Sequence, residues 1–118
     1  MGYPLRQARN GKSKTGLRPG EYDCLVKELK DADGYVPGDA FTFVYELSRG
    51  DKVWSYKETF LNDLDDVRTK ALMKHLEKKG ISEENIEKFV GCREKVKLLK
   101  QVVDNRGIYL NIVEREFV

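Results

Sequence analysis

The sequence predicts a mainly β domain with a helical insert. Three strand-like segments come first, helix signals follow, and two more strand-like segments close the chain, all within 118 residues. A chain of this length suits a single domain with one hydrophobic core. The order β-β-β-α-α-β-β is that of a five-stranded OB-like barrel, in which the helix lies between the third and fourth strands. We therefore predict an OB-like domain at residues 19–118, preceded by a flexible basic arm at residues 1–18.

Apolar residues that alternate with polar ones predict the first three strands. A turn-rich loop at residues 31–39 separates the first two, and a short turn at residues 48–51 joins the second and third in a hairpin. The positions that share a face are Tyr22, Cys24 and Val26 in the first strand, Phe41, Phe43, Tyr45 and Leu47 in the second, and Trp54, Tyr56, Glu58 and Phe60 in the third.

Capping residues predict two helical segments between the third and fourth strands. Asn62 or Asp63 can cap the first helix, and Gly80 ends it. Ser82 can cap the second, which ends at Gly91. The predicted apolar contacts are Leu64, Val67, Ala71, Leu72 and Leu76 in the first helix, and Ile86, Phe89 and Val90 in the second.

Two strands are predicted at the end of the chain. In the fourth, Val96 and Leu98 alternate with basic residues, and the apolar residues from Leu99 onward break that pattern, which indicates a bulge or bend. Residues 104–107 have the chemistry of a hairpin turn, and the fifth strand begins at Ile108.

The charge is distributed unevenly along the chain. The net charge is +2, yet residues 1–20 contain five cations and no acid, so the remaining residues sum to −3. Such an arm, which also contains glycine and proline, is expected to stay flexible until it binds. Basic arms bind phosphates through Coulomb attraction and counterion release. The alternative is a solvated tail with no partner.

Several function classes find no support in the sequence. There is no apolar segment of the roughly 18 residues that a membrane span needs, and no signal segment opens the chain, so we expect a cytoplasmic protein without a membrane partner. No residue pattern supports catalysis or a cofactor. Cys24, Cys92 and His75 lack metal-ligand spacing, although a site that folding assembles from them with one carboxylate stays open. Helix capping explains the acids at Asp63, Asp65 and Asp66 without a metal.

A single-strand binder needs positive charge along the nucleic-acid backbone and aromatic faces on which bases stack. The stacking candidates are Trp54 and Tyr56, with Tyr35 on a neighbouring loop. The complete set of candidate binding residues is Arg6, Arg9, Lys12, Lys14 and Arg18 in the arm, and Arg49, Lys52, Trp54, Tyr56, Lys57, Lys95 and Lys97 in the domain. In the alternative, Trp54 and Tyr56 fill the core, and Lys95 and Lys97 form a solvated strand face.

Short motifs across residues 19–118 resemble small phage early-region proteins. The motifs are Pro19-Gly20-Glu21-Tyr22, Phe43-Val44-Tyr45-Glu46-Leu47, Lys57-Glu58-Thr59-Phe60, Phe89-Val90-Gly91 and Leu110-Asn111-Ile112-Val113. The resemblance implies an accessory protein that binds single-stranded DNA. The chain ends at Phe117 and Val118 without the acidic tail that recruits partners in bacterial single-stranded-DNA-binding proteins.

Taken together, these features predict a non-enzymatic module that binds single-stranded DNA or RNA with little sequence preference. A second hypothesis is a phage-encoded inhibitor or accessory protein that binds a host nuclease, such as a CRISPR effector, or a replication protein. Its basis is the acidic helical end, which could meet a basic partner surface. These acids are Asp63, Asp65, Asp66, Glu83, Glu84 and Glu87. Self-association through an exposed strand edge is a third hypothesis.

Overall fold

The computed structural model describes residues 16–103 and 107–118, and it confirms a mainly β fold with a small helical part. The order of the predicted elements is also confirmed. Five strands form one open antiparallel sheet, and not the closed barrel of the prediction, in the order β3-β2-β1-β4-β5. The strands are β1 (Gly20–Asp31), β2 (Ala40–Arg49), β3 (Lys52–Leu61), β4 (Arg93–Val103) and β5 (Gly107–Phe117).

The helical part lies between β3 and β4, as predicted. It consists of helix α1 (Val67–Leu76), one 3₁₀ turn (Glu77–Lys79) and a 3₁₀ helix (Glu83–Phe89). Gly80 ends the 3₁₀ turn with φ of 70°, a left-handed conformation that glycine adopts without a Cβ penalty. Ser82 caps the 3₁₀ helix, and the Asn85 side chain accepts a hydrogen bond from the Ser82 backbone nitrogen at 2.6 Å.

The predicted apolar stripe of α1 is wrong at its amino-terminal end. Asp66 is the cap, because its carboxylate accepts a 3.0 Å hydrogen bond from the Thr69 backbone nitrogen. Asp63 instead accepts from the Asp65 nitrogen at 2.9 Å, a local turn that delays the helix. Leu64 therefore precedes the helix and is 48% exposed, and Val67 in its first turn is 81% exposed. Ala71 is exposed too. The buried residues of α1 are Thr69, Leu72, His75 and Leu76.

The chain divides into two compact units. The first contains residues 16–24, 46–56, 93–103 and 107–118 of the described chain, and the second contains residues 25–45 and 57–92. No helix in these described ranges is long and apolar enough to cross a membrane.

An aromatic cluster forms the core of the second unit. The rings of Phe43 and Phe89 meet edge to face at 5.0 Å, and both side chains are fully buried. Beside them, the Tyr45 hydroxyl donates a 2.6 Å hydrogen bond to the buried carboxylate of Glu58. The Arg68 guanidinium lies 3.4 Å from the other oxygen of Glu58. These two partners compensate a carboxylate that would otherwise be costly to bury.

The core of the first unit contains the apolar faces of its strands, with Tyr22, Leu47, Val96 and Leu98 all buried. The bulge predicted in this region is confirmed. Lys97 pairs with Glu114 but Leu98 pairs with Ile112, so the register between β4 and β5 shifts by one residue at this point.

Candidate nucleic-acid interface

A cluster of aromatic and basic residues lies where the arm joins the first unit, and Arg18 belongs to it through its backbone. We name it the arm-root cluster and define it as Arg18, Tyr22, Arg49 and Trp54. The rings of Tyr22 and Trp54 meet edge to face at 5.4 Å. The Arg49 guanidinium carbon lies 4.1 Å from the centre of the Tyr22 ring, within cation–π range, and Arg49 also donates a hydrogen bond to the Tyr22 hydroxyl. Two of the predicted stacking and basic residues, Trp54 and Arg49, are thus held by one tyrosine.

Arg18 connects this cluster to the arm. The Tyr22 hydroxyl donates a 2.6 Å hydrogen bond to the Arg18 carbonyl and accepts one of 3.0 Å from its backbone nitrogen. Leu17 is already buried, at 7% exposed, and a Cβ on Gly16 would lie 3.7 Å from the Trp54 indole nitrogen. The packed part of the chain therefore includes residues before the predicted boundary at residue 19. The predictions for Arg6, Arg9, Lys12 and Lys14 lie outside the described residues.

Gly20 makes room for the Arg49 side chain. Its φ is 136°, a conformation that other residues rarely adopt, and a Cβ at this position would lie 2.7 Å from an Arg49 guanidinium nitrogen. A glycine at the start of β1 is thus what lets the guanidinium lie against the chain beside Tyr22.

Of the two predicted stacking residues on β3, only Trp54 reaches the surface, with its side chain partly exposed. Tyr56 is 5% exposed, and its hydroxyl donates a 2.6 Å hydrogen bond to the Leu110 carbonyl on β5. The ring of Tyr56 belongs to the core, which is the alternative that the sequence left open, and it does not offer a face for base stacking.

The predicted β4 lysines lie among acids. The Lys95 ammonium is 2.9 Å from a carboxylate oxygen of Asp23, and the strand register places Lys95 opposite Glu116 and Lys97 opposite Glu114. The hydrogen bond and the negative charge of Asp23 raise the pKa of Lys95 above its ordinary value of 10.5. These lysines therefore resemble a solvated, charge-paired strand face more than a positive groove.

The two remaining predicted lysines, Lys52 and Lys57, are both exposed. Lys52 begins β3 in the first unit, whereas Lys57 belongs to the second unit. Within the first unit, Lys52 thus joins Arg18 and Arg49 as an exposed cation: Arg18 precedes β1, Arg49 ends β2 and Lys52 begins β3.

Sequence reasoning missed an exposed aromatic residue on β5. Tyr109 is 44% exposed and pairs with Gln101 of β4. Three neighbouring apolar side chains in this part of the β4–β5 hairpin are also exposed: Leu99, Val102 and Ile108. The sequence contains a signal for this exposed surface, because the apolar residues after Leu98 break the strand alternation. The same pattern is also expected for a strand that bends within the core, so it does not by itself predict exposure.

Acidic side chains are concentrated in the second unit. It contains nine Lys and Arg residues and twelve Asp and Glu residues, whereas the described part of the first unit contains eight and seven. The sequence attaches the further arm cations to the first unit at Gly16. The unit that contains the arm-root cluster is therefore the one that suits a polyanion.

Metal-binding residues do not gather in the described part of the chain, where no group of three His, Cys, Asp or Glu side chains could hold an ion. Both cysteines are reduced: Cys24 is buried and Cys92 is partly exposed. The Cys92 sulfur donates a hydrogen bond to the Lys88 carbonyl at 3.5 Å.

Comparisons with protein-family models, with curated proteins and with solved structures found no match for this chain. The resemblance to phage early-region proteins stays a prediction.

Proposed function

We propose that the chain is a non-enzymatic module that binds single-stranded DNA or RNA with little sequence preference. The observation that carries this proposal is the arm-root cluster. The single tryptophan of the chain contacts Tyr22, which also contacts Arg49, at the point where the basic arm joins the first unit. Aromatic stacking and cationic contacts to phosphate are the two interactions on which sequence-tolerant single-strand binding depends.

An OB-like barrel is the finer fold that we propose. In such a barrel the third and fifth strands come together, and the strand order β3-β2-β1-β4-β5 leaves these two at the ends of the sheet. The Tyr56 hydroxyl of β3 already contacts the Leu110 carbonyl of β5 at 2.6 Å, which supports closure at this point. OB folds bind oligonucleotides on strands two and three and through the loop between strands four and five. Trp54 on β3 and Tyr109 near that loop suit this mode.

The proposed mechanism divides the work between stacking and charge. A base stacks on the exposed part of Trp54, and each such stack contributes about 1 to 3 kcal/mol. Arg18, Arg49 and Lys52 contact the phosphates nearest to this base. The arm cations extend the contact along the strand and release counterions, which makes the affinity depend strongly on salt. Because every base has a stacking face and every nucleotide a phosphate, this arrangement does not select a sequence.

Binding should be visible in Trp54 fluorescence. We expect a thymidine 20-mer at low salt to change Trp54 emission and, when labelled, to show increased anisotropy, with an affinity that falls steeply as salt is added. An abasic 20-mer keeps the phosphates but offers no bases, so it should bind about tenfold more weakly or worse. Absence of any change in both emission and anisotropy would rule out the proposed function. Equal affinity for the two oligonucleotides would mean that binding depends only on charge and that no base stacks on Trp54.

Asp23 neutralises Lys95, which the proposed mechanism therefore leaves out of its phosphate contacts. We expect Asp23→Asn to raise the affinity for the thymidine 20-mer about two- to fivefold and no more, because it frees a single ammonium from an exposed, solvent-screened ion pair. Because Asp23 raises the pKa of Lys95, the ion pair contributes fully to folding stability below the unfolded pKa of 10.5, and this contribution is lost as the pH rises through the higher folded pKa. Lys95 therefore stays charged throughout the neutral pH range. The gain should therefore be constant between pH 6 and pH 8. Asp33→Asn, an equal charge change in the second unit, is the control, and an equal gain in both variants would contradict a local role for Asp23.

A further inference from the structure

The second unit contains an open cleft of about 390 Å³. Residues from the end of β1, the start of β2, α1 and the 3₁₀ helix line it, together with residues from the segments after β1 and β3. Its apolar lining consists mainly of Leu29, Phe41, Leu64, Met73 and Ile86. The volume falls within the range of about 300 to 1,000 Å³ that is typical of ligand sites. It is large enough for an apolar side chain and its neighbours, but too small for a whole helix.

The apolar lining of the cleft is accessible to solvent, and one of its rings packs against the buried core. All five of these side chains are at least partly exposed, and Leu64 is 48% exposed. The Phe41 ring stacks on the buried Phe60 ring at 5.6 Å, which fixes its orientation. At the edge, the Asn62 side chain donates a 2.9 Å hydrogen bond to the Gly38 carbonyl. The cleft is therefore preformed and leaves apolar surface in contact with water.

The charged groups of the cleft are mainly acidic. Asp31 and Glu83 line the cleft. Among the described residues that line it, Lys30 is the one cation. Asp39 adjoins the lining residue Gly38, and its carbonyl accepts a 2.8 Å hydrogen bond from the Asn62 backbone nitrogen. The whole unit has twelve acids and nine Lys and Arg residues. An apolar surface with an acidic rim disfavours nucleic acid and favours a cationic partner.

We propose that this cleft docks a basic polypeptide segment of another protein. One apolar side chain of the segment occupies the cleft against Phe41, Leu64 and Met73, and flanking Lys or Arg residues pair with Asp31 and Glu83. An apolar anchor surrounded by complementary charge is the usual arrangement of a peptide-binding site. This interaction goes beyond the binding of nucleic acid and does not depend on it. The cleft is the specific surface through which a protein-binding module would act.

Amide chemical shifts of the ¹⁵N-labelled full chain can test this proposal. The probe is the hexapeptide Arg-Lys-Leu-Phe-Lys-Arg, which we expect to shift amides of residues 29–31, 38–41, 62–73 and 83–86 at submillimolar concentrations. The peptide Glu-Asp-Leu-Phe-Asp-Glu keeps the anchor with opposite charge, and Arg-Lys-Gly-Ser-Lys-Arg keeps the charge without the anchor. Each should bind at least about tenfold more weakly, the loss expected when either the charge pairs or the apolar contact is removed.

Matched variants localise the effect. Leu64→Ser should weaken binding of the basic hexapeptide about fivefold or more, whereas Val67→Ser, which changes a more exposed side chain outside the cleft, should leave it unchanged. Glu83→Lys should likewise weaken binding more than Glu87→Lys, since only Glu83 lines the cleft. The proposal is overturned if the acidic hexapeptide binds equally well, if the shifts lie outside the cleft, or if millimolar basic hexapeptide shifts nothing. Binding of the thymidine 20-mer is measured separately, so failure of the peptide proposal would leave the proposed function standing, and the reverse is also true.

Discussion

Replacing Arg6, Arg9, Lys12 and Lys14 together by Gln is expected to lower the affinity for single-stranded DNA by two to three orders of magnitude at 0.1 M salt. The logarithm of the binding constant for a single strand changes by about 0.7 per neutralised phosphate for each tenfold change in salt. Four lost phosphate contacts therefore remove about three units of that slope. The substitutions leave the described residues unchanged, so the fold should be preserved.

A second charge variant separates the arm from net charge. Lys70, Lys74, Lys78 and Lys79 are exposed in α1 and the 3₁₀ turn of the acidic unit, and replacing them by Gln produces the same change in net charge. We expect this variant to bind the thymidine 20-mer nearly as well as the original chain. Anisotropy titrations at several salt concentrations give both affinity and slope. An equal loss in the two variants would show that binding follows net charge, and no loss in the arm variant would identify the arm as a solvated tail.

The arm-root cluster fixes the point at which the arm is attached to the first unit. The Tyr22 hydroxyl bonds to the backbone of Arg18, and Leu17 is buried, so the arm leaves the first unit from a fixed backbone position beside Tyr22. In the proposed complex, an arm tethered at this point delivers its charge close to the base that stacks on Trp54. The effective concentration of the arm near the bound strand is then set by its short tether and not by free diffusion.

The fold was predictable where the signal is local. Alternation with a period of two located all five strands, and the caps at Ser82 and Gly80 located the helical segments, because these patterns depend on residues close together in sequence. The start of α1 was misplaced because four residues that can cap a helix precede it: Asn62, Asp63, Asp65 and Asp66. Only the hydrogen bond from Thr69 to Asp66 selects among them.

The candidate sites could be predicted only in part, because tertiary contacts assemble them. Arg49 and Tyr22 are 27 residues apart, and no sequence pattern indicates that a guanidinium lies on that ring. The cleft draws its lining from several separate parts of the chain. Tyr56 and Trp54 share a strand face and a residue class, yet one is buried and the other partly exposed. Exposure is a property of the packed chain, which alternation does not encode.

Phe89→Ala is expected to cause the largest loss of stability among single substitutions in the 3₁₀ helix. Phe89 is fully buried, and its ring contacts those of Phe43 at 5.0 Å and Tyr45 at 6.5 Å. Truncation of a buried phenylalanine removes its transfer free energy and leaves a cavity, at a cost of about 3 to 5 kcal/mol. Native domains have a free energy of unfolding of about 5 to 15 kcal/mol, so this substitution would consume a large part of it.

Urea and thermal unfolding measure this loss, with a fall in melting temperature of about 10 to 20 °C expected for a chain of this size. Val90→Ala is the control, because Val90 is the next residue and is 37% exposed, so its truncation should cost less than about 1 kcal/mol. If Phe89→Ala does not fold, Phe89→Leu keeps much of the volume and should cost about 1 to 2 kcal/mol. Equal, small losses at both positions would mean that the 3₁₀ helix does not close the core of its unit. A large loss at Phe89 alone would instead show that the 3₁₀ helix, whose residues Glu83 and Ile86 line the cleft, closes the aromatic core of its unit.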